Sequence, residues 1–258
     1  MSTIIYPSPV FGPVKSRRLG ISLGVNLLPA GGKRCSFDCI YCECGFNADR
    51  HTHNPMPSAG AVEEGLTRKL QEMRREGVVP DVLTFAGNGE PTLHPDFPEV
   101  VRRVRAVRDR ECPEARMSIL SNGTQVHRAE IREALMLFDN NIQKLDTVSP
   151  AYIRTVDRPQ GHYDVERIIE SLCLLEGHVI IQTMFMGGEF GGLSVDNTGD
   201  EYVGPWLRAL ERIRPQGVMI YTIDRETPAP GLVKAGAERM DEIAGQVRRL
   251  GLACSVSY

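Results

Sequence analysis

After residue 20 the chain alternates between two hydrophobic rhythms. Residues 21–28 (ISLGVNLL) form a short apolar run of strand length, and Val62, Leu66, Leu70 and Met73 then recur at helical spacing up to Gly77, which is placed to end a helix. Residues 82–87 (VLTFAG) predict a second strand, followed by a helix whose inner face is Phe97, Val100, Val101, Val104 and Val107. Residues 117–123 (MSILSNG) predict a third strand, with Ile131, Ala134, Leu135 and Phe138 marking the next helix. The pattern continues through residues 144–149 (KLDTVS), 179–186 (VIIQTMFM), 218–224 (VMIYTID) and 253–258 (ACSVSY). Short apolar strands separated by amphipathic helices imply parallel βαβ units, hence a barrel, a partial barrel or an open doubly wound sheet.

No segment has the composition of a linker. The expectation is one domain over 1–258, divided into an N-terminal extension (1–20), a core (21–230) and a C-terminal helix and strand (231–258). In parallel α/β architectures the chemistry gathers where strands give way to helices, at their carboxyl ends. The stretches to inspect are therefore the cysteine-rich loop after the first strand, GNGEPTLHP (87–95), SNGTQ (121–125), DTVSPAY (146–152), GGEFGGLSVDNTGD (187–200) and DRETPAPG (224–231).

Composition narrows the class. The 258 residues are 41% hydrophobic and 24% charged with a net charge of -3, ordinary values for a globular protein. Positive charge gathers on helix faces, as in residues 68–75 and 102–110, where solvation explains it, so charge does not support a nucleic-acid partner. No apolar run reaches the roughly 20 residues of a membrane span, and the first residues lack the order of a secretion signal, which places the chain in the cytoplasm.

That compartment bears on the seven cysteines, four of which (Cys35, Cys39, Cys42, Cys44) fall within ten residues. In a reducing environment such crowding suggests metal binding or catalysis before disulfides. Cys173, in an apolar helical stretch, and Cys254, in a strand, read as small core residues. A zinc knuckle would pair Cys39 and Cys42 with His51 and His53, but eight residues separate Cys42 from His51. A thioredoxin-like CxxC has no need of Cys35. Three thiolates at CxxxCxxC suit a [4Fe-4S] cluster in which one iron lacks a cysteine ligand.

Cys35, Cys39 and Cys42, with Tyr41 beside the last, resemble the signature of the radical S-adenosylmethionine (radical SAM) superfamily. Its companion also stands after the second strand. Gly87, Asn88, Gly89 and Glu90 resemble the glycine-glycine-glutamate motif, with Asn88 where a glycine often stands. The resemblance implies a partial, laterally open (β/α)6-type TIM-like barrel, an α/β fold. It further implies a [4Fe-4S] cluster on the three cysteines and S-adenosyl-L-methionine (SAM) on its open iron. Tyr41 would lie against the adenine, and the GNGEP backbone with Glu90 would receive the methionine amino group. Asn122, Asp146 and Ser149 end the third and fourth strands, where the superfamily often contacts the sulfonium and ribose. Gln182 or Thr183 would face the lumen depending on register. Tyr221, Asp224 and Arg225 close the sixth strand toward substrate, with surface ion pairing as the plain alternative for the last two. Cys44 could tune the cluster or be a structural thiol.

The implied activity is reductive cleavage of SAM to a 5′-deoxyadenosyl radical that abstracts hydrogen from an unidentified substrate, macromolecules included, with electrons from an external flavodoxin- or ferredoxin-like donor. Residues 11–29, GNGEPTLHP and residues 221–231 are together similar to a subgroup often placed with the wyosine-base synthases of tRNA modification. Those enzymes hold a second cluster on upstream cysteines, and no cysteine precedes Cys35. The alternatives are an activating enzyme that installs a glycyl radical in a protein, and a non-catalytic iron-sulfur electron carrier or sensor.

Overall fold

The structure is a computed structural model and describes residues 3–16 and 20–258. Its strands are β1 (Val10–Ser16), β2 (Gly20–Val25), β3 (Val82–Phe85), β4 (Arg116–Ser121), β5 (Asn140–Lys144), β6 (Ile180–Met184), β7 (Met186–Phe190), β8 (Leu193–Ser194), β9 (Gly217–Tyr221), β10 (Leu232–Lys234) and β11 (Cys254–Ser257). Its helices are α1 (Ala59–Arg75), α2 (Phe97–Glu111), α3 (Ala129–Leu135), α4 (Pro150–Tyr152), α5 (Val165–Cys173), α6 (Asp200–Ile213) and α7 (Ala237–Arg249), with a π turn over Ile153–Asp157.

One sheet runs in the order β1-β2-β3-β4-β5-β6-β9-β11. From β2 to β11 every neighbouring pair is parallel, and β1 adds antiparallel to β2 at the edge. β1 and β11 are the two ends of the order and do not pair among the described residues, so the fold is the partial, laterally open α/β barrel. Six parallel strands fall within the core expected from the sequence, and β11 is a seventh. β1 and a three-stranded antiparallel sheet, β10-β7-β8, were not anticipated. Residues 17–19 of the similar N-terminal stretch lie outside the described residues.

Period-two alternation assigns the faces. Leu23, Val25, Leu83, Phe85, Met117, Ile119, Ile181, Val218 and Ile220 point outward into a core closed by Val62, Leu66, Leu70 and Met73 of α1 and the valines of α2. Phe85 packs edge-on against Phe138 at 4.9 Å, and Trp206 of α6 packs against Phe185 at 5.4 Å while donating its indole N–H to the Leu145 carbonyl at 3.1 Å. The concave face is more polar. Ser22 and Thr84 share a hydrogen bond at 2.8 Å, and Asn140 donates to Ser118 at 2.8 Å.

Two local expectations shift. The fourth parallel strand is Asn140–Lys144, earlier than the expected 144–149. Its buried polar residues are partly paired inside the fold: Asn141 donates to the His178 carbonyl at 2.9 Å and Gln143 to Asn141 at 2.6 Å, which offsets part of the cost of burying them, while Gln143 Oε1 has no partner among the described residues. Residues 187–200, expected as a loop, carry the β7–β8 hairpin. Gly191 (φ 60°) and Gly192 (φ 76°) supply the two positive φ angles of a type I′ turn.

Candidate active site at the cysteine loop

The loop that follows β2 is strapped to the mouth of the barrel from two sides. On one, Arg34 N–H donates to the Asn88 carbonyl at 2.9 Å and Glu90 N–H to the Arg34 carbonyl at 3.1 Å, a one-residue parallel bridge between Arg34 and Gly89. Gly89 has φ +128°, and a Cβ there would lie 1.9 Å from the Arg34 carbonyl oxygen. Only glycine permits this approach. On the other side the π turn closes on the loop. Asp38 N–H donates to the Asp157 carbonyl at 3.0 Å, Ile40 N–H to Val156 at 3.0 Å and Gln160 N–H to Ser36 at 2.8 Å.

The strapped loop carries Cys35, Cys39 and Cys42, all partly exposed and free of disulfides. Asn122 reaches the Cys35 sulfur from its Nδ2 at 3.6 Å, and the Cys39 thiol faces Asp157 Oδ1 at 4.0 Å. The neighbouring Cys44 thiol, first, and the Lys33 charge outweigh burial and pull the Cys42 thiol down to about 6. Burial pushes Cys35 up to about 12, with the Glu90 charge acting in the same direction. Cys44 is buried, its thiol held up by the neighbouring Cys42 and by burial, and it donates to the Gly87 carbonyl at 3.3 Å.

Lys33, two residues ahead of Cys35, is almost fully buried. Its ammonium donates to the Gly45 carbonyl at 2.6 Å and lies 3.7 Å from Asp38 Oδ1. Burial alone would make it easier to deprotonate; the charges of Cys42, Cys35, Cys39 and Asp38 more than reverse that.

Beneath Cys39 sits a second charged group. Tyr41 OH donates to Asp146 Oδ2, and Lys144 donates to Tyr41 OH at 2.6 Å, to Asp157 Oδ1 at 2.6 Å and to Asp146. Asp146 Oδ1 accepts the Met184 N–H at 2.9 Å. Asp157 is raised to about 6 by burial against the pull of Lys144, and Lys144 is held well above its ordinary value because the two carboxylates outweigh its burial. Tyr41 is thereby fixed in place at the loop.

Glu90 is buried and its carboxylate is engaged: Oε1 accepts from Thr92 N–H at 3.0 Å and Thr92 Oγ1 at 2.5 Å, and Oε2 from Asn122 N–H at 2.6 Å. It ties the loop after β3 to the end of β4, and burial raises it despite these donors. Asn88 is likewise occupied, bonding through its side chain to Tyr6 and to the Pro29 carbonyl. Gly87 (φ +139°) leaves no room for a Cβ beside Asn26. Ser149 caps α4, accepting from Tyr152 N–H at 3.4 Å. Gln182 shares the face of Met184, which packs with Ile40 and Tyr41, whereas Thr183 turns outward and donates to the Leu145 carbonyl at 2.9 Å. Tyr221 lies against the same small apolar cluster. Arg225 pairs with Glu43 at 2.7 Å on the rim of the cysteine loop, and Asp224 with Lys234 at 3.9 Å.

Cys35, Cys39, Cys42, Tyr41, Gly87, Asn88, Gly89, Glu90, Asn122 and Asp146 thus lie around one mouth. Ser149 and Arg225 serve helix capping and rim pairing. Lys33, Asp38, Lys144 and Asp157 were not anticipated. Lys144 is the last residue of β5 and Asp146 lies two residues beyond it, in the loop after the strand. Asp157 carries no sequence signal, because only the π turn brings it to Cys39.

Among the described residues no set of three or more His, Cys, Asp or Glu side chains converges as ligands of a single metal ion. The zinc reading therefore gains nothing. The three thiols are nevertheless mutual electrostatic neighbours, and each feels the charge of a buried lysine. Three reduced thiols on one strapped loop fit a three-cysteine iron-sulfur cluster.

The Radical SAM superfamily model matches residues 31–192. A UPF0026 protein of Helicobacter pylori (strain J99) is 32% identical over 241 residues, covering 91% of this chain and 71% of its own. A UPF0026 protein of Methanocaldococcus jannaschii is 32% identical over 186 residues, covering 69% and 54%. The GTPase Obg of Brachyspira hyodysenteriae is 29% identical over 221 residues, 84% of this chain but 30% of that one. The chain thus spans about half, or less, of some curated relatives it matches. Among solved structures, a radical SAM methyltransferase from Sphaerobacter thermophilus superposes with a TM-score of 0.68 at 16% identity, covering 91% of this chain and 65% of that one. An archaeal TYW1 gives 0.50 at 14% identity, covering 89% and 71%. At these identities the structures speak to the fold. The matched segment begins ahead of Cys35 and runs through the GNGEP strap and the Lys144 group, and on that match the chain belongs to the radical SAM superfamily.

Proposed function

We propose that this chain is a radical SAM enzyme in which Cys35, Cys39 and Cys42 hold a [4Fe-4S] cluster and the groups around the same mouth receive SAM. The observation that carries the proposal is the double strapping of the cysteine loop between Gly89 and the π turn, which presents three thiols beside Tyr41 and GNGEP. When bound, such a cluster supplies one-electron cleavage of SAM to methionine and a 5′-deoxyadenosyl radical that takes hydrogen from a substrate.

The chain's own contribution is positioning. Lys144 and Asp146 hold the Tyr41 ring where an adenine would lie against it. Glu90 holds the GNGEP backbone and the end of β4 together, so its part in receiving an ammonium group is shared with the carbonyls it positions. Gln182 and Tyr221, beside the Met184 cluster, would line the cofactor and substrate side of the mouth. The lateral opening between β1 and β11 suits a large substrate, as the similarity to wyosine-base synthases also suggests. The electron would come from a flavodoxin- or ferredoxin-like donor. The GTPase name of one relative is not carried over, since this sequence has no GxxxxGK[ST] motif.

The test is anaerobic reconstitution with iron and sulfide, followed by SAM titration. The wild type is expected to bind close to four irons and to change its cluster EPR signal on adding SAM, and Cys39→Ala to lose the cluster. A wild type that takes up iron but leaves SAM unbound would support an electron carrier instead.

A further inference from the structure

Resting on that reading, we infer that Lys33 is a positioning residue of a particular kind: a fixed buried cation that sets the reduction potential of the cluster on Cys35, Cys39 and Cys42. Its ammonium is almost fully buried, two residues ahead of Cys35, and donates at 2.6 Å to the Gly45 carbonyl, whose own N–H binds the Cys42 carbonyl at 2.9 Å.

The charges around it do not cancel. Asp38 is the carboxylate paired with Lys33, at 3.7 Å, and it is shared: its other oxygen lies 3.4 Å from Arg158, and it also accepts the Asn47 N–H at 2.7 Å. Two cations thus divide one carboxylate. The neighbouring group is the reverse, with Lys144 facing both Asp146 and Asp157. Positive charge in excess therefore lies on the Lys33 side of the thiols and negative charge on the Lys144 side. A buried, unbalanced cation is costly unless something negative completes it. A cluster of four irons and four sulfides on three thiolates is anionic when oxidised, and gaining one electron from a donor adds one more negative charge. A cation held close in a poorly solvated pocket stabilises the reduced form more than the oxidised form. Lys33 therefore makes the cluster easier to reduce, and Asp38 moderates it.

The experiment is a dithionite and dye-mediated redox titration of the reconstituted full chain without SAM, read by the EPR signal of the reduced cluster, with iron content measured on every sample. At the wild-type midpoint, Lys33→Met is expected to lower the ratio of reduced to oxidised cluster at least tenfold, about 59 mV for one electron. Lys33→Arg should remain within threefold of wild type, and Asp38→Asn should move the ratio the other way. A Lys33→Met protein with full iron and an unchanged midpoint overturns the inference. If that variant holds no cluster, Asp38→Asn decides: an upward shift supports the inference and no shift overturns it. A wild type that takes up no cluster overturns the functional reading, and this inference with it, whereas equal midpoints in loaded proteins overturn this inference alone.

Discussion

Replacing Lys144 with Met removes the cation that pairs with both Asp146 and Asp157 and leaves their side chains, 1% and 4% exposed, without that counter-charge. Removing one partner of a buried ion pair costs about 3–5 kcal/mol. A second route gives a similar figure. The variant can relieve itself by protonating one aspartate, and doing so at pH 7 against the ordinary value of 3.8 costs about 4 kcal/mol at 1.36 kcal/mol per unit. For a chain of this size, about 2–4 °C per kcal/mol translates that into a melting temperature lowered by roughly 6–20 °C. The sign of the pH dependence follows. A carboxylate raised in the folded state binds more protons there than when unfolded, so stability is lost as pH rises through its folded value. Wild-type Asp157 sits at about 6. Between pH 7 and that value the deficit of Lys144→Met should therefore shrink, by up to about 1.4 kcal/mol per unit. The assay is thermal unfolding of cluster-free protein followed by circular dichroism at both pH values. A variant within about 1 kcal/mol of wild type at pH 7, or a deficit that grows on acidification, would refute the reasoning.

Three further outcomes are expected. Gly89→Ala places a methyl group against the Arg34 carbonyl at a φ of +128°, so backbone strain of about 1–3 kcal/mol should be joined by loss of the loop strap; iron uptake on reconstitution should fall, and normal uptake would show that the bridge is dispensable. Glu90→Ala should keep the cluster but weaken SAM binding, and it should also lower stability by about 1–3 kcal/mol because the Thr92 and Asn122 N–H groups lose their acceptor; unchanged SAM affinity by calorimetry would remove Glu90 from the site. Cys44→Ser should retain full iron, since Cys44 faces the Gly87 carbonyl; loss of an iron would make it a ligand.

Much of this was legible in the amino-acid order. Strands whose outward residues are uniformly apolar, such as Val82–Phe85, were placed closely, and the three cysteines and GNGEP were found because their spacing is local. The β5 strand was misplaced because its residues are mostly polar, satisfied by partners such as His178 that are distant in the chain. The β7–β8 hairpin had a readable cue in Gly191-Gly192 that the surrounding glycines obscured. Lys33 is adjacent to the cysteines, yet its burial and its unequal share of Asp38 exist only once Arg158 and Asn47 are folded around that carboxylate. Glu90 shows the opposite limit: the motif named it, and the fold revealed that its oxygens already hold two strand ends together.

The central claim is that the three thiols support radical chemistry on SAM, and the most direct measurement is single-turnover product analysis. Reconstituted protein incubated anaerobically with dithionite and SAM is expected to form 5′-deoxyadenosine and methionine in equal amounts, with none from Cys39→Ala. An intact, reducible cluster that yields no 5′-deoxyadenosine would contradict the account.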